Sequence, residues 1–154
     1  MSGVNELYQE ILLDHYRHPR NFGPLEGADR EIEGHNPLCG DRIRLRLRVE
    51  GDRVAEAKFE GSGCAISTAS ASMMTEKIRG QSVGEALALA DEFRALVTGE
   101  APAASVAADP DRLGELIALE GVREYPMRVK CATLPWHALR SLLGEAAAGR
   151  VSTE

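Results

Sequence analysis

Three cysteines and one aspartate are the side chains best suited to chemistry in this chain. Cys39 and Asp41 are separated by a single glycine, whereas Cys64 and Cys131 lie far along the sequence. Three thiolates and one carboxylate supply the four donors of a tetrahedral Zn2+ site. The carboxylate is the ligand most easily exchanged, which indicates a site that can open. These residues therefore predict a metal centre.

Each candidate ligand also has a simpler interpretation. A cysteine taken alone is often a small buried hydrophobe, and Asp41 could simply begin a strand. Spacing does not decide between these alternatives, because the chain contains no C-x-x-C pair. Imidazole is a common zinc ligand, and of the four histidines we retain His35, which precedes the Cys39 segment, as an alternative ligand.

The surroundings of two cysteines favour the ionised thiolate. Cys64 follows Gly63 and precedes a run of small residues typical of a helix, so the helix dipole should lower its pKa. Arg128 and Lys130 precede Cys131, and their positive charge should act in the same direction.

Length and composition predict one cytoplasmic domain. The chain has 154 residues with 44% hydrophobic content, which suits a single core. A net charge of −6 gives no general attraction to phosphate backbones or anionic lipid, so we expect neither nucleic acid nor membrane as a partner. The odd cysteine count argues against a disulfide framework. Because the N-terminus lacks a basic start followed by an apolar run, we expect a cytoplasmic protein.

The first half of the chain predicts a helix followed by an antiparallel sheet. Asn5 can cap a helix that ends near His18 before Pro19, with Leu7, Ile11, Leu12 and Tyr16 at helical spacing. Alternating residues predict strands over 30–35, 42–49 and 54–60, the last two joined by a turn at Gly51-Asp52. The arginines of the second strand should lie on a solvated face, and Ala55, Ala57 and Phe59 on one face of the third.

The second half predicts helices. Small residues after Cys64 suit a closely packed helix that ends near Gly80. Ser82 and Glu85 form a capping box at the start of the following helix. Residues 99–109 indicate a loop, and Asp109-Pro110 a further helix start. A last helix should run from Met127 to about Ala148, bent or restarted at Pro135, with Trp136 buried.

At these motifs the chain resembles the IscU/SufU family of iron-sulfur assembly proteins, and most closely its SufU branch. The resemblance covers nearly the whole chain and rests on four segments in order: Asp14-His15-Tyr16-Arg17-His18-Pro19-Arg20-Asn21-Phe22-Gly23, Asn36-Pro37-Leu38-Cys39-Gly40-Asp41, Gly61-Ser62-Gly63-Cys64-Ala65-Ile66-Ser67 and Arg128-Val129-Lys130-Cys131-Ala132-Thr133-Leu134-Pro135-Trp136.

The resemblance implies an α+β fold in which helices cover a small three-stranded antiparallel sheet. It implies zinc held by Cys39, Asp41, Cys64 and Cys131, and a function as a zinc-dependent sulfurtransferase. Cys39 would accept persulfide sulfur from a SufS-type cysteine desulfurase, whose histidine takes over a zinc position, and would relay the sulfur to downstream iron-sulfur assembly proteins. The resemblance also leaves open a scaffold on which an iron or [2Fe-2S] cluster is built.

Departures from the scaffold members favour the SufU branch. Scaffold members carry a histidine immediately before the last cysteine, where this chain has Lys130. The segment of the scaffold members that a chaperone recognises is also missing from this chain. Residues 99–120 resemble an insertion that is specific to the SufU branch. We expect residues 1–154 to form a single domain that contains this insertion. Arg128 could guide the partner or merely cap a helix. A purely structural zinc is a third hypothesis.

Overall fold

The computed structural model describes residues 3–36, 40–98, 114–144 and 149–152. Its elements in chain order are helix α1 (Gly3–Arg17), strands β1 (Arg30–Asn36), β2 (Asp41–Glu50) and β3 (Arg53–Ser62), helices α2 (Ala65–Ile78) and α3 (Val83–Thr98), a 3-10 helix (Gly114–Glu124), helix α4 (Pro126–Gly144) and strand β4 (Gly149–Ser152). In the described residues, no helix has the length and apolar character needed to span a bilayer.

The strands form one sheet in the order β3-β2-β1-β4. β1, β2 and β3 are antiparallel neighbours, which confirms the predicted three-stranded antiparallel sheet and the α+β class. Strand β4, which no pattern in the sequence predicts, adds a short parallel pairing beside β1. The predicted insertion around 99–120 lies mostly outside the described residues, so it stays a prediction, as does the helix start at Asp109-Pro110.

Alternation along β2 divides the sheet into a buried face and a charged face. Ile43, Leu45 and Leu47 are buried, because successive side chains of a strand point to opposite faces. On the other face Arg44 pairs with Glu33, and Arg46 with Glu31 and Glu60. The arginine row is therefore matched by carboxylates on the neighbouring strands, as expected of a solvated sheet face.

β3 departs from the predicted alternation at one point. Val54, Ala57 and Phe59 are buried, whereas Ala55 is only partly buried. The pairing of β2 with β3 shifts between Arg48 and Val49. Such a bulge places one extra residue in β3, so the residues beyond it point to the opposite face of the sheet from the one that strict alternation predicts. Val54 rather than Ala55 therefore enters the core.

Helix α1 presents a different face to the core from the one its apolar residues suggest. Leu7 and Tyr16 are exposed, while Ile11 and Leu12 pack partly against the core. His15 is 1% exposed, and its Nδ1 lies 2.7 Å from Ser72 Oγ on α2. A buried histidine thus replaces the expected apolar contact, because it finds a hydrogen-bond partner on α2.

Helices α2, α3 and α4 follow the predicted pattern closely. Nine of the 14 residues of α2 are buried, in keeping with its small side chains. The predicted capping box at the start of α3 is confirmed, because the Glu85 backbone N–H donates to Ser82 Oγ at 3.1 Å. α4 continues through Pro135, and Trp136 is buried on its inner side.

Candidate metal centre

Three of the four predicted ligands converge at one end of the sheet. One donor atom from each of Asp41, Cys64 and Cys131 lies within 4.8 Å of the other two. Asp41 is the first residue of β2, Cys64 immediately precedes α2, and Cys131 lies in α4. Residues far apart in sequence are therefore brought together by the packing of two helices on one strand.

Asp41 is held as a buried carboxylate. The residue is 1% exposed and lies opposite Asn36 in the β1–β2 register. Its Oδ1 accepts a 2.8 Å hydrogen bond from the Cys64 backbone N–H. This bond fixes one carboxylate oxygen at the start of α2 and directs the other toward Cys64, whose Sγ is 3.8 Å from Oδ2.

Cys64 is the N-cap residue of α2, as predicted. Its backbone is extended, and its side chain does not cap the helix. Instead, the Asp41 carboxylate lies beside the helix N-terminus, where it accepts from the Cys64 N–H and where negative charge is stabilised. The Cys64 thiol is thereby left available for a ligand. The Ser67 hydroxyl donates to the Cys64 carbonyl at 3.2 Å and anchors the first turn.

Gly63 makes the close approach of Asp41 and α2 sterically possible. A Cβ at this position would lie 2.4 Å from Asp41 Oδ1 and 2.9 Å from Ser67 Oγ. Real Cβ atoms essentially never make contacts below 3.0 Å. Any side chain here would therefore displace the carboxylate, a role that sequence analysis did not assign to Gly63.

Cys131 differs from its predicted environment. The residue is fully buried. Burial raises the pKa of the Cys131 thiol far above its ordinary value, and Asp41 and Cys64 act in the same direction. The expectation that Arg128 and Lys130 would favour its thiolate is wrong, because desolvation by burial is the largest influence on this pKa. Binding of a cation must release the proton from this thiol.

The backbone around Cys131 is fixed to α2 by a buried hydrogen-bond network. Pro135 lies inside α4, four residues after Cys131, and has no N–H to donate to the Cys131 carbonyl as a helical residue normally would. The Ser70 hydroxyl donates to the adjacent Ala132 carbonyl at 2.6 Å and accepts from Trp136 Nε1 at 3.1 Å. The two helices that carry the cysteines are thus joined directly, a link that sequence analysis did not predict.

The donor set fits a zinc ion. A thiolate sulfur at roughly 2.3 Å and a carboxylate oxygen at about 2.0–2.2 Å from a tetrahedral zinc lie about 3.5–3.7 Å apart. Cys64 Sγ and Asp41 Oδ2 already have a separation of 3.8 Å. The three donor atoms lie within 4.8 Å of one another, so closure needs movements of at most about 1 Å. Soft thiolates with one carboxylate are suited to zinc.

The remaining predicted site residues lie around or outside this cluster. Cys39 is outside the described residues. His35 is opposite Arg42 in the register, one residue from the Asn36–Asp41 pair, so its side chain points to the other face of the sheet from Asp41. Arg128 is exposed and Lys130 partly buried at the start of α4.

Comparison with known proteins gives the family of this chain. Residues 7–132 match the family described as the NifU-like N terminal domain. The chain belongs to this family. Among curated members, it is 44% identical over 138 residues to the zinc-dependent sulfurtransferase SufU of Bacillus subtilis, covering 90% of each chain. It is 41% identical over 147 residues to the iron-sulfur cluster assembly scaffold protein IscU of Streptococcus pyogenes, covering 96% of this chain and 89% of the relative.

Two solved structures confirm the fold. The crystal structure of FiSufU from Fervidobacterium islandicum AW-1 superposes with a TM-score of 0.80 at 37% identity, over 90% of this chain and 98% of that one. A NifU-like N-terminal protein from Brucella abortus has the same fold, with a TM-score of 0.79 at 23% identity, over 95% of this chain and all of that one. The predicted resemblance to the IscU/SufU family is therefore confirmed.

Proposed function

We propose that this chain acts in iron-sulfur cluster assembly as a zinc-dependent sulfur acceptor. The observation that supports this function best is the convergence of Asp41, Cys64 and Cys131 within 4.8 Å. The Bacillus subtilis relative, which is named a zinc-dependent sulfurtransferase, matches 90% of the chain. Zinc would hold the thiolates ionised while suppressing their nucleophilicity until a ligand is exchanged.

Cys39 is proposed as the fourth ligand and as the sulfur acceptor. One residue separates Cys39 from Asp41 in the sequence, and two residues of extended chain span at most ~7 Å, so the connectivity of the chain keeps the Cys39 thiol within reach of the cluster. The residues on either side of this segment are joined directly, since the Gly40 backbone N–H donates to the Asn36 carbonyl at 2.8 Å. Gly40 has a φ of 74°, a conformation that side chains rarely adopt. Cys131 is buried within α4, and Cys64 is partly buried with its thiol directed toward Asp41, so we assign Cys39 to the partner.

The proposed reaction is a thiol exchange on sulfane sulfur. The Cys39 thiolate attacks the terminal sulfur of a persulfide on a SufS-type cysteine desulfurase. A sulfur-sulfur bond forms at Cys39 while the bond to the partner's cysteine breaks, and that cysteine leaves as a thiolate. No external oxidant or reductant is required, because the oxidised sulfur atom moves intact. A later acceptor in iron-sulfur assembly would take the sulfur from Cys39.

Positive charge beside the cluster supports this assignment. Three thiolates and one carboxylate around a divalent cation leave two negative charges, and Arg128 and Lys130 lie at the start of α4 next to Cys131. A cation in the first turn of a helix opposes the helix dipole. Stabilisation of the helix therefore does not explain why an arginine stands at position 128. Partial neutralisation of an anionic metal centre explains it. The same charge would attract an anionic persulfide.

Exposed apolar side chains lie next to the same charges. Tyr125 is 62% exposed and Met127 47% exposed, immediately before Arg128 in the chain. Large exposed apolar residues are typical of protein interaction sites. We propose that the desulfurase docks here, with its persulfide directed toward the cluster.

Mass spectrometry of the protein mixed with a SufS-type desulfurase and cysteine tests the acceptor assignment. The wild type should gain the mass of one sulfur atom and should stimulate cysteine turnover. Cys39→Ser should lose both effects, because the acceptor thiol is absent. Tyr8→Phe, on helix α1, is a control that should behave as the wild type. Unchanged sulfur uptake by Cys39→Ser would refute the role of Cys39.

A cluster scaffold is the second candidate function, since the Streptococcus pyogenes relative is named a scaffold protein. Thiolates also hold iron-sulfur clusters. Lys130 opposes this alternative, because it stands where scaffold members carry a histidine. Anaerobic reconstitution with iron and sulfide separates the two functions. A stable cluster that transfers intact to an apo-acceptor would favour the scaffold, and its absence would favour sulfur transfer.

A further inference from the structure

Two buried serines of helix α2 connect it to different neighbours. Ser70 and Ser72 are both fully buried. They are two residues apart, so a rotation of about 200° around the helix axis directs them to nearly opposite sides of α2. Ser70 faces α4, where it contacts the Ala132 carbonyl and the Trp136 ring nitrogen. Ser72 faces α1, where its Oγ lies 2.7 Å from His15 Nδ1.

Ser70 holds the part of α4 that carries Cys131. Its hydroxyl donates at 2.6 Å to the carbonyl of Ala132, the residue that follows Cys131. The Cys131 carbonyl lacks the donor that a helix ordinarily supplies, because Pro135 stands four residues later and has no N–H. The bond from α2 therefore supports the backbone beside a position where the hydrogen-bond ladder of α4 is incomplete.

The other end of α2 carries Cys64. The Thr68 N–H and the Ser67 hydroxyl each donate to the Cys64 carbonyl at 3.2 Å, which joins Cys64 to the first helical turn. The Cys64 N–H donates to Asp41 Oδ1 at 2.8 Å. Six residues of helix, about 9 Å along the axis, therefore connect these two donors to the bond that Ser70 makes.

The side chain that bonds to Ser70 from α4 is itself fixed. The Trp136 ring stacks on Phe93 of α3 with centroids 4.9 Å apart, and its Nε1 donates to Ser70 Oγ at 3.1 Å. Ser70 thus accepts one hydrogen bond and donates another in the buried interior, where hydrogen bonds are electrostatically stronger than in water. The Ser70 hydroxyl hydrogen is therefore directed at the Ala132 carbonyl.

We infer that Ser70 is a positioning residue of the metal centre, which holds the Cys131 thiol at the distance from Asp41 and Cys64 at which one divalent cation can bind all three. The inference rests on the proposed zinc centre and deepens it. Ser70 acts through the backbone of α4 and is not a ligand. Ligand distances in a metal site lie within ~0.2 Å of their ideal values, so even a small displacement of α4 should weaken binding.

Ser70→Ala and Ser72→Ala form a matched pair that tests this role. Each variant removes one buried hydroxyl from α2 and leaves buried partners unpaired, so both should lower the free energy of unfolding of the zinc-free protein in urea. Ser72 also accepts from the Arg20 N–H, on the side of α2 away from α4. Only Ser70→Ala should weaken zinc binding, by about 10- to 100-fold, as for the loss of a group that orients a ligand. Competition with a chromophoric chelator measures the affinity.

Absorption of the cobalt-substituted protein provides a second measurement, which does not depend on affinity. Thiolate-to-cobalt bands report the arrangement of the sulfur ligands, so they should change in Ser70→Ala and stay as in the wild type in Ser72→Ala. Ser70→Thr keeps a hydroxyl at this position and should bind zinc more tightly than Ser70→Ala.

The inference is overturned if Ser70→Ala binds zinc as tightly as Ser72→Ala, or if Ser70→Thr binds zinc as weakly as Ser70→Ala. Either result would leave the sulfur-acceptor function intact. A wild-type protein that binds zinc but takes up no persulfide sulfur would instead refute that function and would leave the role of Ser70 intact.

Discussion

Replacement of Gly63 by alanine provides a sharp test of the metal centre. The added Cβ would lie 2.4 Å from Asp41 Oδ1, whereas ordinary van der Waals contact begins at 3.4 Å. The carboxylate must therefore move by about 1 Å, the difference between these distances. Metal sites tolerate ligand distances within only ~0.2 Å of their ideal values. The movement also breaks the bond from the Cys64 N–H to Asp41.

We expect Gly63→Ala to weaken zinc binding by about 10- to 100-fold or more, as for the loss of a group that orients a ligand. The zinc-free protein should lose about 1–3 kcal/mol of its free energy of unfolding through overpacking. Competition with a chromophoric chelator measures the affinity, and urea unfolding measures the stability.

Gly84→Ala is the matched control for this experiment. A Cβ at Gly84 meets nothing within 4 Å, and the residue lies in the first turn of α3. Zinc affinity should be unchanged, and stability should rise by at most about 1 kcal/mol because alanine favours helix. If Gly63→Ala binds zinc as tightly as Gly84→Ala, the inferred role of the Asp41 carboxylate is refuted.

Three further predictions concern the core and pH. Leu45→Ala, at a fully buried position in β2, should lower the free energy of unfolding by about 2–5 kcal/mol in urea denaturation; a negligible loss would contradict its burial. Ser70→Ala should leave the buried Trp136 N–H unpaired and destabilise by about 1–3 kcal/mol, with a shifted tryptophan emission; an unchanged emission would contradict the network. Because the pKa of His137 is lowered from 6.5 in the folded state, the unfolded chain takes up its proton first, so stability should fall as the pH drops below about 6.5. Thermal unfolding of His137→Gln across this range should show a smaller fall, and an identical fall would exclude His137 as a cause.

Local patterns predicted the elements of this fold well. Alternation along 42–49 predicted β2, since one face of the strand is buried. The capping box at Ser82 and Glu85 gave the start of α3 because both partners lie within one helical turn. Cys64 was correctly placed before α2 by the glycines that precede it and the small residues that follow.

Features that depend on distant packing were not predicted. β4 forms only by pairing beside β1, and its sequence carries no signal of that partner. The bulge before Val49 depends on two strands together. Burial of His15 requires Ser72 on another helix. The high pKa of Cys131 arises from desolvation, which the charged residues beside it in the sequence do not reveal.

The origins of the three donors have a consequence for the order of folding. Asp41 begins β2, Cys64 precedes α2 and Cys131 belongs to the last long helix, so their donor atoms meet only after the C-terminal part of the chain has docked on the hairpin. Local hairpins and helices form before such long-range contacts. A complete set of donors therefore marks a chain that has finished folding, whereas a truncated copy without α4 has only part of the site.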